Sequence, residues 1–313
     1  MKKILIIDSI HPVFKKIVEE NGFVCEDGTA WSKEEIISKI NDFTGVVIRS
    51  RFKLDKDFLS QTQSLKFIAR AGAGMENIDV KYATSKGIAC LNSPEGNRDA
   101  VGEHATGMLL SLFNNLNKAD REVRKGIWLR EENRGVELQG KTVGIIGFGN
   151  TGSVFAKKLS GFEVKMIAYD KYIAVDSIKY PFVQQVSMEN IFEETDILSF
   201  HIPLTNETKY LVNDDFINRF KKNIYVINSS RGPILNTADL VKNLKTGKVK
   251  GACLDVLEYE SVSFENFSPG DFPEPMQYLI KSESVIVSPH IAGWTFESNE
   301  KMAKILAKKI IEL

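Results

Sequence analysis

The stretch GKTVGIIGFGNTGSVFAKKL, residues 140–159, constrains this chain more than any other. TVGII reads as a buried strand and TGSVFAKKL as a helix, and the turn between them carries Gly147, Gly149 and Gly152 in G-x-G-x-x-G spacing. Each glycine has its own physical reason in a dinucleotide-binding turn. The first permits a tight reversal and the second lets main chain approach a pyrophosphate. The third lets helix and strand pack closely, with the anion at the helix N-terminus. Asn150 and Thr151 sit in the same turn. The next apolar run, EVKMIAYD, ends on Asp170, where a carboxylate would accept a hydrogen bond from a ribose 2′-hydroxyl and repel a 2′-phosphate. NAD is therefore expected rather than NADP, with Lys171 next in sequence as the opposing charge.

The same alternation continues on both sides. KTVGIIGFG, EVKMIAYD, TDILSFHIP, NIYVINSSRG, VKGACLDVLE and SVIVSPH are six strand candidates separated by helical patterns, the layout of a doubly wound sheet. Earlier in the chain, KILIID, GVVIRS and LKFIARAG alternate with the helix-like HPVFKKIVEENG and SKEEIISKINDF, punctuated by Pro12 and Gly22. The Pro, Gly and Asn of GIACLNSPEGN mark a hinge. From about Asn97, RDAVGEHATGMLLSLFNNLNKADREVRKG reads as one long helical stretch. EYESVSFENFSPGDFPEPMQ reads as a long loop of the kind that serves as a lid, and ESNEKMAKILAKKIIEL as a closing amphipathic helix with a solvated basic face.

Composition narrows the function classes. The 313 residues contain 41 Lys plus Arg against 41 Asp plus Glu, which gives no basic footprint for nucleic acid or an anionic membrane. The apolar run in MKKILIIDS stops at Asp8, too early for a secretory signal, and no apolar stretch is long enough to span a bilayer. Cys25, Cys90 and Cys253 are scattered, so neither a disulfide framework nor a metal site is expected. A cytoplasmic protein is the expectation.

Parallel sheets bind ligands beyond the carboxyl ends of their strands. The polar residues there in the second region are His201, Arg231, Asp255, Glu260 and His290. Moving a hydride between a hydroxyl and a nicotinamide needs a proton acceptor beside the hydroxyl and a cation for the neighbouring carboxylate. Arg231 can grip a carboxylate with two parallel hydrogen bonds. His290 can be the acid/base, and a carboxylate beside it would favour its charged form. His201 reads equally as a cofactor contact or as a satisfied structural residue. His104 reads as a packed helix residue and His11 as a loop residue in solvent. Met108, Leu109, Leu110 and Leu112 read as core or interface.

The motifs GIIGFGNTG, HIPLTNET, INSSRGPILNTADL, GACLDVLEYE and SPHIAGWT, in this order, resemble those of the D-2-hydroxyacid dehydrogenase family across essentially the whole chain. The resemblance implies an α/β fold of two doubly wound parallel-sheet domains. A Rossmann NAD-binding domain, residues 97–288, would be inserted into a flavodoxin-like substrate domain of residues 1–96 and 289–313. His290 would then lie on the return crossover, where domain closure brings it to substrate and nicotinamide. It implies Arg231, Glu260 and His290 as the catalytic set. Asp255 and the backbone of Ser229 and Ser230 would hold the nicotinamide carboxamide, with His201, Ile202, Pro203 and Gly293 lining the cofactor. One departure is visible: Ser261 stands where the family usually has Pro after the Glu, and a second acid, Glu258, lies two residues earlier.

Arg49 ends GVVIRS and Arg70 ends LKFIAR, both at strand carboxyl ends. Arg231 already serves one carboxylate, so further arginines suggest a second anion such as a phosphate; the alternative is a pair of solvated or ion-paired arginines. The backbone around Ala73 and Gly74 offers amides to a carboxylate, and Arg130 could add charge from a neighbouring subunit. Within the family, these stretches are most similar to the members that oxidise 3-phospho-D-glycerate to 3-phosphohydroxypyruvate, the entry to serine synthesis. The competing expectations are a reductase of another 2-keto acid, such as glyoxylate or hydroxypyruvate, and an NAD-sensing interaction protein. A homodimer is expected through the apolar helical stretch. With the chain ending at Leu313, no C-terminal serine-sensing domain is expected.

Overall fold

A computed structural model of the chain describes residues 2–260 and 272–313. Ser261 and most of the expected lid loop lie outside the described residues. The chain divides into two compact units, Met1–Arg98 with Trp294–Leu313, and Asp99–Gly293. The expected boundaries were 96/97 and 288/289. The second differs for a physical reason: the turn after Val287 is bonded to its own sheet, with Ser288 N donating to Leu254 O at 3.0 Å and His290 N to Asp255 O at 2.8 Å. His290 therefore belongs to the second unit.

The first unit holds strands β1 (Lys2–Ile6), β2 (Phe23–Asp27), β3 (Gly45–Ile48), β4 (Phe67–Arg70) and β5 (Ala89–Leu91). They pair in the order β2-β1-β3-β4-β5, all parallel, the flavodoxin-like order. Strand periodicity sends Leu5, Val46, Ile48 and Ile68 into a cluster with Ile36, Phe58 and Leu59. Ile4, Ile6, Val47 and Ala69 go to the other face, against Phe14, Val18, Leu306 and Ile310. Both faces are thus covered, as parallel sheets require.

The second unit holds β6 (Thr142–Ile146), β7 (Lys165–Tyr169), β8 (Val183–Gln185), β9 (Ile197–Phe200), β10 (Ile224–Asn228), β11 (Val249–Leu254) and β12 (Val285–Val287). Their order is β12-β11-β10-β9-β6-β7-β8, again all parallel. One face packs Val143, Ile145 and Ile227 against Met108, Leu109, Phe155 and Leu159. The other packs Ile146, Leu198, Phe200 and Val226 against Phe192, Phe216, Leu240 and Leu279. The strand order reverses at β6, so the glycine turn after β6 and the loop after β9 share one edge.

Three strands escaped the sequence reading: β2, β5 and β8. Each is a sheet edge, and β5 and β8 are only three residues long. An edge strand is buried on fewer sides and so lacks the long apolar run that marks a central one. The long helical stretch is two helices, Pro94–Phe113 and Leu116–Arg124. They are broken at Asn115, which adopts the left-handed region (φ 51°) that Asn tolerates better than most residues. The end of the expected lid loop is instead helical from Glu274 to Lys281. The closing helix, Phe296–Ile311, starts on a capping box between Thr295 and Ser298.

Candidate active site

The glycine turn follows β6 directly. Gly147 has φ +90°, and a Cβ there would lie 2.4 Å from His201 O. A Cβ on Gly152 would lie 2.1 Å from Gly147 O, so the helix Asn150–Leu159 rests on the turn without a side chain between them. Gly149 differs: the nearest atom to its Cβ would be Ile173 Cδ1 at 3.7 Å. Protein packing does not demand glycine at 149. Space beside main chain, at a helix start that Gly149 leaves without a side-chain cap, is what a pyrophosphate requires. Residues present here fit a dinucleotide.

Asp170, just past β7, faces the same turn. Its Oδ2 accepts from Phe148 N at 2.7 Å, and its Oδ1 from Tyr172 N at 2.8 Å and Ile173 N at 2.9 Å. The carboxylate thereby ties the glycine turn to the following loop and keeps its negative charge at the turn. Lys171 is ion-paired with Glu207 at 2.7 Å. After β9, His201 is buried, with Nε2 2.9 Å from Ser199 Oγ and Nδ1 3.2 Å from Thr151 Oγ1. Burial pushes its pKa down to about 3, so the ring is neutral and serves as one donor and one acceptor. The side chain packs under the turn, and Ile202 and the exposed Pro203 follow it.

β10 and β11 supply the next groups. Asn228 ends β10 and clamps the residues after it: its Oδ1 accepts from Ser230 N at 3.1 Å and its Nδ2 donates to Arg231 O at 3.0 Å. Ser230 Oγ donates to Phe200 O, joining the ends of β10 and β9. Ser229 Oγ is buried and has no hydrogen-bond partner among the described residues. Arg231 Nη1 donates to Ser230 O at 2.6 Å. At Gly232 a Cβ would lie 2.0 Å from Leu257 O, so glycine is needed for the Arg231 turn to meet the loop after β11.

That loop carries both acids. Glu258 is committed to structure: Oε1 accepts from Tyr210 OH at 2.8 Å and Oε2 from Thr237 N at 2.9 Å. Glu260 Oε1 accepts from Leu257 N, which fixes the side chain in its own turn. Glu260 Oε2 lies 2.8 Å from His290 Nδ1. With Nδ1–H donating to the carboxylate, Nε2 is the nitrogen whose protonation can change. His290 has φ 55°, uncommon for a residue other than glycine, and conformations of this kind concentrate at functional sites.

Asp255 ends the β11 crossing and is 1% exposed. Its Oδ1 accepts from Ser288 Oγ at 2.7 Å and Ile291 N at 2.9 Å, and its Oδ2 from Ala292 N at 2.8 Å. The structure thus places this carboxylate on the turn that carries His290 and leads to Gly293, a contact the sequence reading did not include. That reading also missed His104 and Ser288, whose Nε2 and Oγ are 2.9 Å apart. Nothing in the sequence marked them, because the helix Pro94–Phe113 carries several other polar residues, Asp99 and Glu103 among them.

In the first unit, Arg49 follows β3 and Arg70 ends β4. The Arg49 guanidinium lies 4.0 Å from the centroid of the Trp294 ring, a cation–π contact absent from the sequence reading. Arg70 Nε donates to Arg49 O at 3.1 Å. A Cβ on Gly72 would lie 2.2 Å from Arg70 Nη1, so the guanidinium folds over the small-residue turn that contains Ala73 and Gly74. Ala73 O accepts from Asn92 Nδ2 at 2.6 Å. The neighbouring Arg51 is structural, with Nη1 on Ile7 O at 3.0 Å and Gly28 O at 3.1 Å. Arg130, in the second unit, is exposed. Among the described residues no cluster of acidic, His and Cys side chains could hold a metal, and no helix is long and apolar enough to cross a membrane.

Comparison with known proteins finds relatives along the whole chain. Residues 106–292 match the family described as D-isomer specific 2-hydroxyacid dehydrogenase, NAD binding domain. A D-3-phosphoglycerate dehydrogenase from Archaeoglobus fulgidus is 33% identical over 311 residues, 99% of this chain and 57% of that protein. A glyoxylate reductase from Thermofilum pendens is 35% identical over 286 residues, 90% of this chain and 81% of that protein. Among solved structures, a D-lactate dehydrogenase from Aquifex aeolicus, complexed with NAD and lactic acid, superposes with a TM-score of 0.82 at 25% identity, covering 98% of this chain and 94% of that one. The chain spans little more than half the length of the phosphoglycerate dehydrogenases it matches, 57% for the archaeal protein and 56% for the human one.

Proposed function

This chain belongs to the D-isomer specific 2-hydroxyacid dehydrogenase family, and on that premise we propose that it oxidises 3-phospho-D-glycerate to 3-phosphohydroxypyruvate with NAD. The observation that carries the chemistry is the His290–Glu260 pair, held at 2.8 Å on a left-handed turn. NAD, when bound, supplies the acceptor for the hydride that leaves C2. Gly147, Gly149, Asn150, Thr151 and Gly152 would hold its pyrophosphate and Asp170 its ribose. His201, Ile202, Pro203, Ser229, Ser230, Asp255 and Gly293 would flank the rest. His290 Nε2 takes the hydroxyl proton as the C2 carbonyl forms, and the Glu260 carboxylate balances the imidazolium charge. Arg231 binds the substrate carboxylate and polarises the forming carbonyl. Run backwards, the same groups deliver a proton to a keto acid.

Phosphate recognition is assigned to Arg49 and Arg70, with the amides near Ala73 and Gly74 on the carboxylate and Arg130 adding charge from a second subunit. Support comes from the cation pair, joined by the Arg70 Nε bond to Arg49 O, and from the full-length match of this chain to phosphoglycerate dehydrogenases. NAD is favoured over NADP because Asp170 holds a negative charge at the turn while Lys171 is paired with Glu207. A homodimer is proposed from the segment after Asn115, where Leu116, Val123, Ile127, Trp128 and Leu129 are exposed. The cytoplasm is the proposed location.

A second reading is favoured by the glyoxylate reductase relative, which this chain covers more completely than it does the phosphoglycerate dehydrogenases. In it, Arg231, Glu260 and His290 keep their roles on an unphosphorylated 2-keto acid, and Arg49 and Arg70 bind no substrate. Turnover across phosphorylated and unphosphorylated acids separates the two.

A further inference from the structure

We propose that His104 is a positioning residue for His290, acting through Ser288 and Asp255. The inference rests on the reading of His290 as the acid/base.

Hydrogen-bond inventory fixes the direction of this chain. Ser288 Oγ lies 2.7 Å from Asp255 Oδ1 and 2.9 Å from His104 Nε2. A serine hydroxyl has one proton, and a carboxylate can only accept, so Ser288 donates to Asp255. Ser288 must then accept from His104, which places a proton on Nε2. The resulting order is His104 Nε2–H to Ser288 Oγ–H to Asp255 carboxylate. His104 Nε2 is also only 3.5 Å from Asp255 Oδ1. Each link in the chain removes freedom from the next.

Asp255 is where the chain acts. Its two carboxylate oxygens take the amides of Ile291 and Ala292, the residues directly after His290, and its main-chain oxygen takes the His290 amide at 2.8 Å. Three bonds from one residue thus hold the His290 turn in its left-handed conformation. Asp255 is 1% exposed, and an anion so buried is stable only while its oxygens are satisfied. His104 comes from the helix Pro94–Phe113 and reaches the Asp255 carboxylate from there. It supplies the outermost donor and fixes the Ser288 rotamer. The His104 side chain is itself 25% exposed, so its hydrogen bond to Ser288, rather than burial, is what orients the ring.

The test compares His104→Leu, His104→Gln, Ser288→Ala and the double variant His104→Leu/Ser288→Ala in the full chain. His104→Leu removes the donor, whereas Gln can place an amide N–H where Nε2 was. Two readouts are taken. One is the imidazole ring signals of His290 in ¹⁵N-histidine NMR spectra of the unliganded protein, assigned with His290→Gln. The other is kcat and KM in a substrate panel. His104→Leu is expected to broaden or shift the His290 Nδ1–H signal, and to lower kcat about tenfold with KM for the acid within about twofold, because displacing a reacting group by a fraction of an ångström acts on the chemical step. His104→Gln restores both. The double variant matches either single one, since all interrupt one chain. If the His290 signal and kcat are unchanged in His104→Leu and Ser288→Ala, the proposal is wrong. Equal damage by Leu and Gln would overturn it too, since that marks a packing role. Should His104→Leu not fold, Ser288→Ala and His104→Gln carry the comparison. An inactive wild-type protein whose His290 signal nevertheless responds to His104→Leu would overturn the proposed function and leave the positioning role standing.

Discussion

His290 Nδ1 and Glu260 Oε2 lie 2.8 Å apart, while Glu258, two residues earlier, is bonded to Tyr210 and Thr237 instead. The two acids of one loop therefore make separate contacts, and the proposed function predicts separable effects. Glu260→Gln is expected to lower kcat at least about tenfold, and His290→Gln by about 10²–10⁴-fold, without changing the melting temperature much. Glu258→Gln is expected to cost about 1–2 kcal/mol of stability, from two weakened bonds, and to leave kcat within about twofold. Steady-state rates and thermal melts on the three variants check this. A kcat loss at Glu258 larger than that at Glu260 would reverse the assignment.

The glycine turn makes a second contrast. Gly152→Ala forces a Cβ to 2.1 Å from Gly147 O, and the expected cost is about 1–3 kcal/mol of stability. Gly149→Ala meets nothing closer than 3.7 Å, so it should cost less stability and act instead on NADH affinity, weakening it at least about tenfold, about 1.4 kcal/mol. Fluorescence titration with NADH alongside thermal melts reads both. Unchanged NADH affinity in Gly149→Ala would remove the pyrophosphate from this turn.

His201 makes stability depend on pH. Burial lowers its folded pKa to about 3, whereas in the unfolded chain it titrates near about 6.5. Below that value the unfolded state takes up a proton that the folded state refuses. Stability is therefore complete above about pH 6.5 and falls as pH drops toward 3, by at most ~1.4 kcal/mol per pH unit. Unfolding free energies of wild type and His201→Asn should differ in slope by about one proton in this window. Parallel slopes would show that the ring is not held neutral.

Trp128 is 76% exposed, beside Ile127 and Leu129 at 42% each. If a second copy covers them, Trp128→Asp should shift the protein to monomer in sedimentation, through loss of about 2 kcal/mol or more at the contact. A wild-type monomer at micromolar concentration would exclude the dimer.

Central strands and the glycine turn were legible in the sequence because their signals are local. A run such as TVGII is buried on both faces, and Gly147, Gly149 and Gly152 are spaced by the turn's own geometry. Edges were not legible: FVCED and VQQ are half-wet and carry too few apolar residues to stand out. The break at Asn115 had a local signal, the pair Asn114-Asn115, which the reading of one long helical stretch passed over. In the candidate site, Arg231, Glu260 and His290 stood out as polar residues at strand ends. Their support did not. Whether Glu258 or Glu260 faces His290 depends on Tyr210 and Thr237, far away in sequence. His104 meets Ser288 across most of the nucleotide-binding unit, and Trp294 meets Arg49 from the other end of the chain. Periodicity carries no information about such pairings.

Initial rates of NADH formation with NAD and 3-phospho-D-glycerate, set against D-glycerate, D-lactate and D-malate and repeated in the keto-acid direction with glyoxylate and hydroxypyruvate, test the central claim most directly. Wild type is expected to prefer the phosphorylated acid. Arg70→Ala should raise KM for that acid about tenfold or more, the worth of a hydrogen bond to a charged group, and leave KM for the unphosphorylated acids within about twofold. Turnover only of unphosphorylated acids, indifferent to Arg70, would contradict the phosphate site and leave the dehydrogenase centre of Arg231, Glu260 and His290 acting on a smaller substrate.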